Sequence, residues 1–198
     1  MTKYDASKVR SDVRIRAMEL DDWVETIKWR RDEPTWDLVV GQKRFVSSET
    51  EKRWVARAID QHEKGEILRF GIVLECDPQK LVGLIIISDI DRANRSCAYG
   101  NLLAPEGARG KGIAFAARLL VYRYLYDEVG MNRIVGRILE GNIPSRRFSE
   151  KFGSVQEGVL RDAVFKNGRF QNLVVYSMLR EEFYARYGGY GPMEQTLS

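Results

Sequence analysis

Three glycines and two cations crowd the first half of "EGARGKGIAFAARLL", residues 106–120, and an apolar, alanine-rich run fills the second half. A glycine-rich turn that opens a helix can hold phosphates. The first helical turn carries unpaired N–H groups and the positive end of the helix dipole. Gly110 and Gly112 let the backbone approach a ligand closely, and Arg109 and Lys111 add charge. Spacing excludes two nucleotide loops. A P-loop ends in Gly-Lys-Ser/Thr, and here Gly112 follows Gly110-Lys111. A dinucleotide fingerprint begun at Gly110 needs Gly or Ala at position 115, where Phe115 stands. What remains is Arg109-x-x-Gly112-x-Ala114. Other chemistry is thin. The single histidine, His62, sits in the polar run "DQHEKGE" and reads as an exposed helix-end residue. One His and two separated cysteines do not make a zinc site, so no metal is expected. No Ser or Cys motif accompanies His62 that would build a nucleophilic triad.

Periodicity supplies the elements that must position this stretch. Asp12–Glu19 alternates Val13, Ile15 and Ala17 with polar residues, as a strand does. "ELDDWVETIKWRRD" follows as a helix with Val24 and Ile27 on one face. Pro34 and Gly41 make "EPTWDLVVGQKRFV" a loop. "SSETEKRWVARAIDQHEKGE" reads as a helix capped by Ser48, with Glu51 as its capping-box partner and an apolar stripe of Trp54, Val55 and Ile59. Runs 67–76 and 81–90 form a hairpin, 96–103 is a further strand, and the opening stretch leads into a helix to about Val129. A strand at 132–139 and a short helix at 143–153, ended by Gly153, come next. Asn167-Gly168 between Phe165 and Phe170 marks a final hairpin. The order is β-α-α-β-β-β-α-β-α-β-β, an α+β (mixed α/β) domain over 1–198. Its core spans about 12–180, and the tail at 181–198 begins as a helical turn and ends glycine-rich and mobile.

The chain has 198 residues, 44% hydrophobic and 30% charged, with a net charge of +4 and a pI near 9.1. The cations are scattered, which suits an anionic small ligand rather than nucleic acid. No run of about 18 apolar residues offers a membrane span, and the polar N-terminus lacks the h-region of a secretory signal. A cytoplasmic protein is therefore expected, with Cys76 and Cys97 as reduced core residues in strands.

Arg109-x-x-Gly112-x-Ala114, opening a helix after the fourth strand, resembles the pyrophosphate loop of the GNAT superfamily, the acyl-CoA-dependent N-acyltransferases. "EGNIPSRRFSEKFGSVQEGVLRD" is similar to that family's next motif, with Asn142 three residues before Ser145 and "EKFG" closing the short helix. "FKNGRFQNLVVYSML" resembles the branch containing ribosomal-protein N-terminal and spermidine acetyltransferases. The resemblance implies a mostly antiparallel twisted sheet of about seven strands, splayed between strands four and five, with flanking helices. It implies acetyl-CoA as co-substrate. Arg109, Gly110, Lys111, Gly112, Ile113 and Ala114 would bind the pyrophosphate, residues near Leu102 and Leu103 the pantetheine arm, and Asn142 and Ser145 its thiol end. Asn142 and Ser145 also read as helix-capping residues, and Arg146 and Arg147 as surface charge.

By the same resemblance, an amine attacks the thioester directly, backbone donors hold the oxyanion, and the thiolate takes up a proton. Two residues of the pattern are replaced. Ala98 stands where many relatives carry a strand-four Glu, and Ser149 where many carry a Tyr as general acid. Ser145, Ser149 and Glu140 are the candidate catalytic groups; Asp162 is a further acid. The missing Glu and Tyr also admit a non-catalytic acyl-CoA-binding or sensing module. An alkyl amine of pKa about 10.4 costs roughly 4.6 kcal/mol to deprotonate at pH 7, and an α-amine near 8 about 1.4 kcal/mol. A site without an evident base thus suits a small amine, an amino sugar or a protein N-terminus. Trp29, Glu33, Trp36 and Phe45, with Asp37, are the candidate acceptor residues. Aromatics with acids suit a cationic amine, although Trp29 and Trp54 also read as core. No nucleic-acid or membrane partner is expected, and the chain is expected as a monomer or homodimer.

Overall fold

The computed structural model describes residues 9–103 and 108–188. Strands β1 (Val13–Arg16), β2 (Leu68–Leu74), β3 (Gly83–Asp91) and β4 (Ser96–Leu103) pair antiparallel in sequence order. β5 (Arg133–Leu139) then joins β4 in parallel, and β7 (Arg169–Leu179) and β6 (Val155–Lys166) complete the order β1-β2-β3-β4-β5-β7-β6. The β4–β5 ladder has only three rungs, Ser96↔Arg133, Cys97↔Ile134 and Ala98↔Val135. β4 remains bonded to β3 as far as Leu103, and β5 to β7 as far as Leu139. The two strands therefore part beyond Ala98 and open a wedge in the middle of the sheet.

Strand alternation builds two cores. On one face, Phe70 and Ile72 of β2 and Ile85 and Ile87 of β3 pack with helix α4 (Ile113–Asp127) and with Phe152 and Phe183 of α5 (Ile143–Phe152) and α6 (Arg180–Tyr187). α4 is apolar almost all round and accordingly buried. On the other face, Val73 and Leu84 meet Trp29 of α1 (Trp23–Arg31) and Val55 and Ala58 of α3 (Ser48–Glu63).

Several local expectations need correction. "EPTWDL" is not loop but a short helix, α2 (Glu33–Leu38), because the Asp32 carboxylate accepts from Thr35 N at 3.0 Å and Pro34 fits the first turn. Ser47 rather than Ser48 caps α3, accepting from Thr50 N at 3.1 Å. The stripe of α3 centres on Val55 and Ala58, while Trp54 and Ile59 flank it. β2 stops at Leu74, where Asp77 N turns back to Leu74 O at 2.9 Å, so Cys76 is exposed and not core; Cys97 is buried. His62 is half-buried, its Nδ1 accepting from Arg69 N at 3.0 Å. The Asn167-Gly168 turn has positive φ at both residues, 52° and 75°, as its type demands. The expected mobile tail falls at 189–198, outside the described residues.

Candidate active site

The wedge between β4 and β5 opens into a cavity of about 960 Å³, walled also by α1–α3, the N-terminal half of α4 and α5. Beyond Ala98 no strand among the described residues pairs with the β5-facing edge of β4, so backbone groups on that edge of Tyr99–Leu103 can bond a ligand lying in the wedge. At the mouth, Gly110 and Gly112 take φ of 76° and 77°, a left-handed conformation that glycine adopts without penalty. Gly112 is the N-cap of α4, and among the described residues no side chain caps that helix end. The first N–H groups of α4 are therefore available to a ligand. Gly110, Gly112, Ile113 and Ala114 line the cavity, as do Leu102, Leu103 and Arg109, whose Nη2 donates to Thr35 Oγ1 at 2.9 Å. Lys111 is exposed and does not line it; its carbonyl accepts from Arg10 Nη1 at 3.4 Å.

α5 forms the opposite lip. Asn142 caps it, Oδ1 accepting from Ser145 N at 3.2 Å, while Nδ2 donates to Leu38 O at 2.8 Å. Asn142 thus ties the lip to the end of α2, and with Ser145 and Ser149 it lines the cavity. Ser149 is buried and accepts from Arg118 Nη1 at 3.4 Å. The other catalytic candidates lie elsewhere. Glu140 is exposed, bonded by Asn172 Nδ2 at 3.0 Å, and Asp162 is exposed on β6; neither lines the cavity. Of the acceptor candidates, Trp29 and Trp36 are buried in the cavity wall and joined by a Trp36 Nε1–Trp29 O bond of 2.9 Å. Phe45, 96% exposed, and Glu33, paired with Lys43, stand outside it. Asp37 is also outside, accepting from Asn167 Nδ2 at 3.0 Å.

Two lining residues carry chemistry that the sequence did not reveal. Glu51 is 1% exposed, its carboxylate facing Arg30 Nε at 3.2 and 3.4 Å, and Arg30 stacks over Trp36 and Trp54 at 5.2 and 4.7 Å. Arg118 is 2% exposed at the floor, among Tyr99, Tyr122, Phe148 and Phe152. Among the described residues three buried polar atoms on the wall have no hydrogen-bond partner: Thr26 Oγ1, Tyr99 Oη and Arg118 Nε. Buried polar atoms gathered on one cavity fit a ligand that would bond them. Cys97 takes no part, since burial pushes its thiol up to about 12 and keeps it protonated.

A wedge beside an uncapped glycine-opened helix is one half of the case for an acyltransferase; sequence comparison supplies the other. The Acetyltransferase (GNAT) domain matches residues 12–155. This chain belongs to the GNAT acetyltransferases. The prophage SPbeta-derived N-acetyltransferase YokL of Bacillus subtilis is 33% identical over 142 residues, covering 72% of this chain and 76% of that protein. Among solved structures, spermidine N-acetyltransferase from Vibrio cholerae, in complex with CoA and spermine, superposes with a TM-score of 0.78 at 21% identity, covering 88% of this chain and 99% of that one. Ribosomal-protein-S5-alanine acetyltransferase from Vibrio fischeri does so with a TM-score of 0.76 at 19% identity, over 88% and 96%. The splayed seven-stranded sheet is thus the GNAT fold, and the chain is an acetyl-CoA-dependent acetyltransferase. Among the described residues of this GNAT protein, no helix is long and apolar enough to cross a membrane.

Proposed function

We propose that this GNAT protein acetylates a single primary amine of modest basicity, a peptide α-amine or an amino sugar, by direct attack on the acetyl-CoA thioester. The carrying observation is the charge of the cavity wall. Among its described residues Glu51 is the one carboxylate, against Arg30, Arg109, Arg118, Arg137 and Lys151; Glu51 pairs with Arg30 and Asp89 with Arg137, which leaves Arg109, Arg118 and Lys151 in excess. Such a wall suits the anionic donor and opposes a polyamine with several positive charges. Trp29, Trp36 and Trp54 give the acceptor end an apolar, aromatic surface, and Glu51 offers one acceptor oxygen pair for an amine N–H.

On this reading the N–H groups at the start of α4 and the Arg109 guanidinium hold the pyrophosphate. The pantetheine arm pairs with the free edge of β4 like an added strand. A β4 N–H polarises the thioester oxygen, and Ser149 and Ser145 stand at the thiol end. The deciding experiment is thiol release from acetyl-CoA with N-terminal peptides, amino sugars and polyamines at equal concentration. Turnover is expected with peptides or amino sugars. A higher kcat/KM for spermine than for every monoamine would overturn the acceptor assignment. CoA binding with no amine turned over would favour an acyl-CoA-binding module instead.

A further inference from the structure

Arg118 is a buried cation for which the described residues provide no carboxylate partner. Its Nη2 donates to Tyr122 Oη at 2.7 Å and to Ser154 Oγ at 3.0 Å, and Nη1 reaches Ser149 Oγ at 3.4 Å. Four aromatic faces hold the guanidinium, the nearest being Phe152 at 4.3 Å. Rings attract a cation through their quadrupoles but do not cancel its charge, as a carboxylate would. The neighbouring phenols stay neutral, since burial raises the pKa of both Tyr99 and Tyr122. Among the described residues, therefore, no carboxylate offsets the charge that Arg118 brings to the cavity wall. Burying an ion this way is costly, and such residues persist where function uses them. The structure locates its target. Arg118 and Ser149 both line the cavity, and Ser149 Oγ, which stands at the thiol end on the reading above, lies 3.4 Å from Arg118 Nη1.

We propose that Arg118 is a positioning residue that turns the Ser149 hydroxyl into a proton donor and stabilises the thiolate that leaves the acetyl group. It rests on the acetyl-transfer reading above. Because Ser149 Oγ accepts from Arg118, its own hydrogen is free to point into the cavity. The amine nitrogen bonds to the thioester carbon, the carbon–sulfur bond breaks, and its electron pair departs on sulfur. Ser149 gives its proton to sulfur as it takes, through cavity water, the proton that nitrogen sheds, so no free serine alkoxide forms. The charge of Arg118 favours the thiolate and holds the Ser149 hydroxyl oriented for the relay. The other charged groups on the wall, Arg30, Glu51, Arg109, Arg137 and Lys151, make no hydrogen bond to Ser149 among the described residues.

The first measurement needs no acceptor: the ultraviolet thiolate absorbance of bound CoA, titrated with pH in the wild type, Arg118→Met, Arg118→Lys and Ser149→Ala. In Arg118→Met the bound thiol is expected to ionise at least one pH unit higher than in the wild type, with Arg118→Lys between them. Coincident titrations in wild type and Arg118→Met would overturn the proposal, whatever amine the enzyme accepts. With any amine that is turned over, Arg118→Met and Ser149→Ala should each lower kcat at least tenfold, and the double variant no further. The acceptor KM and CoA affinity should stay within threefold. Additive losses, or a loss of CoA affinity matching the loss of kcat, would mean that Arg118 acts elsewhere. Arg118→Met loses the hydrogen bonds to Tyr122, Ser154 and Ser149 and the ring contacts together with the buried charge, so circular dichroism and thermal melting establish that it is folded before the titrations are compared. If Arg118→Met fails to fold, Arg118→Lys and Ser149→Ala carry the same titration.

Discussion

Replacing Gly112 separates the phosphate role of the α4 loop from its role as a turn. The position has a φ of +77°, so an L-residue there costs roughly 1–2 kcal/mol of strain. Space is not limiting, because an added Cβ meets only Arg10 Cγ and Cδ at 3.8 Å. Gly112→Ala thus carries strain alone, shared by the free and the CoA-bound protein, and CoA affinity should stay within about threefold. Gly112→Asp adds a carboxylate at a helix N-terminus, where it favours the fold by about 0.3–1 kcal/mol. The same carboxylate stands where the pyrophosphate would bind. At about 5 Å and an effective dielectric of ~20 the repulsion is roughly 3 kcal/mol per phosphate charge. Solvent screening leaves about 2–3 kcal/mol in all, a loss of about 30- to 150-fold in Kd. Calorimetric titration with CoA reads this directly, and circular dichroism shows that both variants are folded. The gap between the two variants should narrow as salt is raised, because repulsion is screened and strain is not. Equal CoA affinity for folded Gly112→Asp and Gly112→Ala would remove the pyrophosphate from this helix end.

Glu51→Gln keeps the shape of the acceptor end and removes its carboxylate, so the acceptor KM should rise about 10- to 100-fold while CoA affinity holds; an unchanged KM would take Glu51 out of the acceptor site. Asn142→Ala loses both the α5 cap and the bond to Leu38, and should cost about 1–2 kcal/mol by chemical denaturation, with Asn142→Asp, which keeps the cap, losing about half as much. Iodoacetamide should modify Cys76 in the native protein without loss of activity and reach Cys97 only on unfolding, as mass spectrometry will show; protection of Cys76 would contradict its exposure.

The parts of the fold legible in the sequence are those with local causes. The α4 loop was readable because its glycines sit within three residues of each other and both need positive φ. The Asn167-Gly168 hairpin was readable for the same reason. Glu51 was misread because the capping-box rule looks only three residues along the chain. It is buried facing a cation from α1 that itself stacks on tryptophans of α2 and α3, groups brought together by helix packing. Arg118 was hidden in a run that reads as an apolar, alanine-rich helix, since its cage comes from β4, α4 and α5 at once. Phe45 and Glu33 differ in the other direction, since neither lines the cavity. Their types suit an amine, but α2, unforeseen as a helix, turns Trp36 inward and leaves both of them outside.

The excess of cations around the cavity also bears on the missing base. In the sequence, Ala98 and Ser149 replace two groups that would handle protons, and no acid besides Glu51 lines the cavity among the described residues. A positive cavity disfavours an ammonium relative to its neutral amine, lowering the amine's pKa as it enters. For an α-amine near pKa 8, one unit of such lowering cancels most of the roughly 1.4 kcal/mol that deprotonation costs at pH 7. For an alkyl amine at about 10.4 it leaves more than 3 kcal/mol unmet. The field that holds an anionic donor would thus bring a weakly basic acceptor to its neutral form and leave a strongly basic one charged. A plot of kcat/KM against amine pKa tests this: it should fall as acceptor pKa rises, and in an Arg30→Gln variant, which removes the cation beside Glu51, the same line should drop to lower kcat/KM for every amine that is charged at the assay pH. A line left where it stands in the wild type would place the proton's fate outside the acceptor end of the cavity.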